Sequence, residues 1–87
     1  MDVPGELIRA ARAALGIGQR ELARRSGVGF RTLQRIELCE ESPKIDTRRR
    51  LQGSLESMGV TFVTDDGSGG PGFRIRRDLL NQGNLRF

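Results

Sequence analysis

Residues 19–37 read QRELARRSGVGFRTLQRIE and contain two short helical patterns separated by a tight break. The spacing of the apolar residues predicts one helix over 19–25 and a second over about 30–37. Gly27 lies in the break, where a glycine enters the positive-φ region at little cost and can end the first helix abruptly. Ala23 lies one turn earlier, and its small side chain lets the two helices cross closely at a steep angle. We therefore expect two short helices packed across each other at a tight turn.

With its flanks, this stretch resembles the phage-repressor (Cro/XRE-type) helix-turn-helix domain. The resemblance covers residues 7–55 and is carried by Gln19, Leu22, Ala23, Ser26, Gly27, Val28, Thr32, Leu33, Arg35, Ile36, Glu37, Ser42 and Pro43. It implies a mainly α, lambda-repressor-like bundle of four to five helices, DNA binding through the second helix of the motif, and a role in transcription control. The chain departs from the family pattern at Gly18 and Gly29, where a Ser or Thr cap is usual, and at Arg48, where an apolar residue is common.

The segments before and after the motif also carry helical patterns. Pro4 suits the first turn of a helix over residues 4–15. One face of that helix is formed by Leu7, Ala11, Ala14 and Leu15, with Ile8 beside it. After a polar connection, Asp46 can cap a further helix that runs to about residue 58. Gly53 weakens the interior of that helix, and close packing against another backbone would explain a glycine there.

The last third of the chain changes from helical patterns to strand patterns. Residues 60–64 are β-branched and aromatic, and residues 73–76 alternate apolar with basic, so both segments predict strands. The Gly- and Pro-rich segment between them predicts a β-hairpin. Two strands alone are marginal in water, so we expect the hairpin to pack on the helices and also to pair with a second copy. The side chains expected to turn inward are Val60, Phe62, Phe73 and Ile75; the alternative is a hairpin that covers only its own core.

These patterns divide the chain into three parts. Residues 1–58 form the helix-turn-helix DNA-binding domain, residues 59–77 form a hairpin that acts as the dimerisation element, and residues 78–87 form a flexible tail. A domain of 87 residues is only marginally self-sufficient, and dimerisation is a common remedy.

The second helix of the motif carries the candidate base contacts. Leu33 and Ile36 lie one turn apart and fix its inward face. The outward face then holds Phe30, Arg31, Gln34 and Arg35. Arg can make a bidentate contact to guanine and Gln can contact adenine. Phe30 has no hydrogen-bonding group, so its best contact is with a thymine methyl group. For the three polar residues the alternative is a solvated face, and for Phe30 it is a ring folded against the neighbouring helix.

Residues around the motif are candidate phosphate contacts or braces. The candidate phosphate contacts are Gln19, Arg20, Arg24 and Lys44. Gln19 begins a helix, and the free N–H groups and partial positive charge of a helix start suit a phosphate. The resemblance further implies that Gln19 braces the recognition helix and that a basic residue, here Arg12, pairs with Glu37. We predict a partly buried Arg12–Glu37 ion pair; the alternative is two solvated charges.

The composition argues against catalysis and metal binding. The chain has no His, Tyr or Trp and a single Cys, so no four-ligand zinc site can be assembled. Without His or an evident base–nucleophile pair, general acid–base catalysis is not expected, and we predict neither an enzyme nor a cofactor. Since there is no 18-residue apolar run and no secretory signal, we expect a cytoplasmic protein. Cys39 is then a reduced thiol, with a redox-sensing thiol as the alternative.

We interpret the sequence as that of a transcriptional regulator that binds specific double-stranded DNA. It would act as a homodimer on inverted-repeat operators, with the helix over about residues 30–37 in the major groove. The formal net charge of +4 favours a polyanionic partner. Two alternatives stay open. One is an antitoxin or other protein-interaction module that holds a regulatory partner protein and binds DNA secondarily, and the other is a DNA-binding fold that has lost its DNA contacts.

Overall fold

The computed structural model describes residues 3–81. In this part of the chain four α-helices precede two strands and a short 3-10 helix, as the mainly α prediction with a C-terminal hairpin requires. The elements are α1 (Gly5–Leu15), α2 (Gln19–Ser26), α3 (Phe30–Glu37), α4 (Ile45–Ser57), β1 (Val60–Val63), β2 (Gly72–Ile75) and the 3-10 helix Arg77–Asn81. The bounds of α2 and α3 agree with the sequence prediction to within one residue.

The buried stripe of α1 differs from the predicted face. Ile8 and Ala11 are fully buried, together with Gly5, whereas Leu7 and Leu15 are only partly buried. The reason is that α1 packs against α3, α4 and β2 together, which centres its buried stripe on Ile8. The N-terminal end of α1 also approaches α3 very closely, since a Cβ atom placed on Gly5 would lie 2.0 Å from the carbonyl oxygen of Ile36.

The turn between α2 and α3 is built by three consecutive residues. Gly27 ends α2 in the left-handed conformation, with φ 74°, and its N–H donates to the carbonyl of Ala23 at 2.9 Å. Ser26 is buried, and its hydroxyl oxygen accepts a hydrogen bond from the N–H of Val28 at 3.2 Å. The side chain of Ser26 thus satisfies a backbone donor just ahead of α3, whose N-cap residue Gly29 has no side chain to offer.

The connection from α3 to α4 contains two local features that the sequence did not predict. Cys39 has φ 60°, a left-handed conformation that costs a residue with a side chain about 1–2 kcal/mol. The position closes α3, because the N–H of Cys39 donates to Ile36 and that of Glu40 to Arg35. The N-cap of α4 is Lys44, which makes no side-chain cap. The prediction that Asp46 caps this helix is wrong, since the helix begins at Ile45 and its N-cap lies two residues before Asp46.

Two residues of α4 show how its exposed side is organised. Asp46 lies in the first turn, where a carboxylate favours the helix dipole, and it pairs with Arg50 at 3.1 Å. Gly53 is exposed, and a Cβ atom placed on it would meet nothing within 4 Å. The suggestion that a close backbone contact explains this glycine is therefore wrong.

The two strands form the predicted antiparallel hairpin and pack on the helices. Val60 pairs with Ile75 and Phe62 with Phe73, whose rings meet edge to face with centroids 6.4 Å apart. Val60 and Phe62 are buried, and Phe73 and Ile75 pack partly buried against the same core. All four side chains thus belong to the core of a single copy.

Residues 77–81 form a 3-10 helix, which covers the last residue of the predicted hairpin segment and the first four residues of the predicted flexible tail. A Cβ atom on Gly59, which has φ 109°, would lie 2.5 Å from Leu79 Cδ1. The N–H of Arg76 donates to the carbonyl of Gly59 at 2.9 Å. Leu79 therefore packs where only a glycine leaves room. The rest of the predicted tail lies outside the described residues.

Candidate nucleic-acid interface

The outward face of α3 exposes both of its arginines to solvent. Arg31 and Arg35 are exposed and Gln34 is half-buried, while Leu33 and Ile36 on the opposite face are 0% exposed. The inward face is therefore confirmed. A shallow groove runs along the outward side and is lined by Gln19, Arg31, Gln34, Arg35, Leu38 and Glu40. The structure brings three of the predicted base contacts together in a groove that no other part of the described chain covers.

The buried side chain of Glu37 fixes α3 to its neighbouring helices. Its side chain is 2% exposed, and its two carboxylate oxygens accept hydrogen bonds from Arg12 Nε at 2.8 Å and Arg12 Nη2 at 2.9 Å. Gln19 Nε2 donates to the same carboxylate at 3.0 Å, and Arg12 Nη1 donates to the carbonyl of Ile17 at 2.9 Å. The predicted ion pair and the predicted Gln19 brace are thus both present. Hydrogen bonding to Glu37 raises the pKa of Arg12.

Phe30 lies at the N-terminal end of α3 beneath an arginine. Its ring is partly buried against the core, and the guanidinium carbon of Arg20 lies 4.3 Å from the ring centroid. Of the two alternatives for Phe30, the ring folded against the neighbouring helix is the one observed. This arrangement holds Arg20 beside the first turn of α3.

The other candidate phosphate contacts occupy different surroundings. Arg24 pairs with Glu21, which also accepts a hydrogen bond from Arg25 Nε at 2.6 Å. The bond from Arg25 and the charge of both arginines lower the pKa of Glu21. Arg24 and Arg25 share this one carboxylate, so the three side chains together keep one positive charge on the exposed side of α2. Lys44 is exposed and lines a second groove together with Thr32 of α3.

Leu38 was not among the predicted contacts. Its side chain is 61% exposed and lies one turn beyond Gln34, in the same groove as the candidate base contacts. An apolar residue at an outward helical position was visible in the sequence, because Leu38 is spaced four residues from Gln34 and seven from Arg31. Such a residue next to the candidate base contacts has the chemistry to meet a thymine methyl group.

Cys39 is exposed, and its surroundings disfavour a reactive thiol. A hydrogen bond to the carboxylate of Glu6, followed by desolvation, raises the pKa of the Cys39 thiol. Reactive cysteines have lowered pKa values, because the thiolate is the nucleophile. Residues 3–81 contain no group of His, Cys, Asp or Glu side chains placed to hold a metal ion.

The raised pKa predicts slow alkylation of Cys39. In the folded protein, the rate of reaction with iodoacetamide should reach its midpoint at a higher pH than in urea-unfolded protein, because the hydrogen bond to Glu6 stabilises the protonated thiol. Glu6→Gln removes the negative charge and should move the midpoint back down. Coinciding pH profiles for the folded and unfolded chains would contradict this assignment.

None of the helices within residues 3–81 has the length and apolarity needed to cross a lipid bilayer.

Two short helices, α2 and α3, joined by a tight turn at Gly27 form a helix-turn-helix motif. A model of the helix-turn-helix family of the Cro/C1, XRE-like type matches residues 8–51, just over half of the chain. The chain belongs to this family, and it is a DNA-binding regulator of transcription. Members of the family are regulatory rather than enzymatic. A search of curated proteins gives no match for this chain.

Proposed function

We propose that the protein regulates transcription by binding specific double-stranded operators in the cytoplasm as a homodimer. The observation that carries this proposal is the two-sided build of α3, in which Leu33 and Ile36 are fully buried while Arg31 and Arg35 on the other side are exposed. A helix of this kind docks with its N-terminal residues deepest in the major groove. Two copies related by a two-fold axis would read inverted half-sites about one helical turn apart.

Contacts to bases and to phosphates fall on different residues in this proposal. Arg31, Gln34 and Arg35 read base edges from the outward face of α3, whereas the ring of Phe30, also predicted as a base contact, packs against the core. Gln19, Arg20, Arg24 and Lys44 meet phosphates, which set the register on DNA without reading its sequence directly. The exposure of Arg31 and Lys44, and their separate grooves, support this division.

We infer that the second copy binds at the hairpin, which is then the dimer interface. The four side chains predicted for the dimer face the core of their own copy, so they would stabilise the hairpin and leave its outer side for the partner. They are Val60, Phe62, Phe73 and Ile75. The surface offered to the partner would be the outer side of the hairpin, where Val63 is 39% exposed beside Thr61 and Arg74. Each strand of the described two-stranded sheet also has one edge without a strand neighbour. Unpaired N–H and C=O groups along such an edge are ready to pair with another chain.

The proposal is tested by finding the DNA that the protein prefers and the mass of the species that binds it. DNA selected from a random library, followed by footprinting on the region upstream of the gene, should give an inverted repeat. Light scattering should give about twice the 9.6 kDa of one chain. A monomer that binds a single half-site would contradict the dimer, and DNA binding without sequence preference would contradict the operator. A partner protein that binds the hairpin while DNA binds only weakly would favour the antitoxin alternative instead.

The division between base and phosphate contacts predicts two different binding profiles. Arg31→Ala should relax the preference at one base pair and weaken binding to the best site by about 1–3 kcal/mol, because a forked base contact is lost. Lys44→Ala should weaken binding to all sequences alike and lower the salt slope by about one unit. Fluorescence anisotropy against matched and mismatched sites at several salt concentrations separates the two effects. Identical profiles for the two variants would show that the division is wrong.

A further inference from the structure

One contact joins the N-terminal ends of the two motif helices. Arg20 is the second residue of α2 and Phe30 is the first residue of α3, and the guanidinium carbon lies 4.3 Å from the ring centroid. This distance is well inside the roughly 6 Å over which a cation is attracted to an aromatic face. The contact therefore holds a cationic side chain of one helix on the leading end of the other.

Arg20 differs from the other arginines of α2 in the partner that holds it. Arg24 and Arg25 both pair with the carboxylate of Glu21 through their N–H groups. Arg20 pairs with no carboxylate of residues 3–81 and is held by an aromatic ring. A guanidinium carries five N–H donors, and no side-chain hydrogen bond or ion pair uses those of Arg20 within residues 3–81. All N–H donors of Arg20 are thus available to a ligand, whereas Arg24 and Arg25 each donate to Glu21.

We propose that Phe30 is a positioning residue whose ring holds Arg20 ready for a forked contact with a DNA phosphate. This inference rests on the proposed function and goes beyond it, because it gives Phe30 a role that acts through Arg20 instead of through a base. In helix-turn-helix docking the first helix of the motif crosses the DNA backbone, which points Arg20 to a phosphate. The ring restricts the side chain before binding, so less rotamer freedom is lost when the contact forms.

A double-mutant cycle on the full chain tests this inference, with wild type, Arg20→Ala, Phe30→Leu and the double variant. Arg20→Ala should reduce affinity for the selected operator about tenfold and lower the salt slope by about 0.9, the value for one phosphate. Phe30→Leu should reduce affinity about threefold in the wild-type background and leave it unchanged when Arg20 is already alanine. Phe30→Tyr, which keeps an aromatic face, should bind as the wild type does.

The cycle separates positioning from damage to the fold. If Phe30→Leu simply disturbed the packing of α3, the loss of affinity would be the same in both backgrounds, and that result would overturn the inference. A change of base preference in Arg20→Ala with an unchanged salt slope would also overturn it, because the target would then be a base. If wild-type protein binds no DNA, the proposed function itself fails. Specific binding with an additive cycle removes only the role of Phe30.

Discussion

Arg12→Ala should lower the free energy of unfolding by about 3–5 kcal/mol, because it leaves the carboxylate of Glu37 buried without its cationic partner. Glu37 is 2% exposed at its side chain, and Arg12 supplies two of the three hydrogen bonds that the structure gives it. Small domains have a total stability of about 5–15 kcal/mol, so the variant should melt far below the wild type. Urea denaturation followed by circular dichroism measures the difference.

A matched control for this change lies in the neighbouring helix. Arg24→Ala also removes an arginine from a carboxylate, but the side chain of Arg24 is 71% exposed and Glu21 keeps Arg25 as a partner. Exposed pairs contribute about 0–1 kcal/mol, so this variant should unfold at nearly the wild-type urea concentration. If both variants lost the same small amount of stability, the Arg12–Glu37 pair would not stabilise the fold.

Gly5→Ala should destabilise the protein by about 3 kcal/mol, at the upper end of the usual cost of overpacking. The added methyl group would lie 2.0 Å from the carbonyl oxygen and 3.0 Å from the carbonyl carbon of Ile36. Both atoms belong to the backbone of α3, so no side chain can rotate away and one of the two helices must shift. Thermal or urea unfolding measures the loss. DNA binding should weaken as well, because Ile36 belongs to the recognition helix.

The same substitution at Gly53 should have the opposite sign. Gly53 lies within α4, and a Cβ atom there meets nothing within 4 Å. Alanine in an exposed helix interior is about 1 kcal/mol more favourable than glycine, so Gly53→Ala should raise the stability by about that amount. Both variants add one methyl group to a helix, but only the methyl group of Gly5→Ala meets backbone atoms. Destabilisation by Gly53→Ala would show that α4 packs against something at this position.

The motif was predictable because its signals are local. The turn and both helices are determined by nearby residues. These are a glycine that takes positive φ, a small residue one turn earlier and two apolar residues on one face. The inward side of α3 and the buried ion pair followed from the same stretch and its family resemblance. The hairpin was predictable for a similar reason, since alternation and a Gly-rich loop are read directly from the sequence.

The features that the sequence did not reveal depend on residues far apart in the chain. Nothing near Gly5 indicates that the backbone of Ile36 will lie against it, because 31 positions separate the two residues. The sequence left two alternatives for Phe30, a DNA contact or a ring folded against the neighbouring helix, for the same reason. Its partner Arg20 lies on another helix. The cap of α4 was misplaced by two residues, from Lys44 to Asp46, because a carboxylate is favourable in the first turn as well as at the cap.

The carboxylate of Glu37 ties α3 to α1 through Arg12 and to α2 through Gln19. A shift of α3 at this residue would strain hydrogen bonds to both neighbours. We therefore expect regulation of DNA affinity to leave the packing of α1, α2 and α3 unchanged. Regulation would then act on the spacing between two copies or on access to the exposed groove. A change of operator preference would come from substitutions of outward side chains on α3, with the fold unchanged.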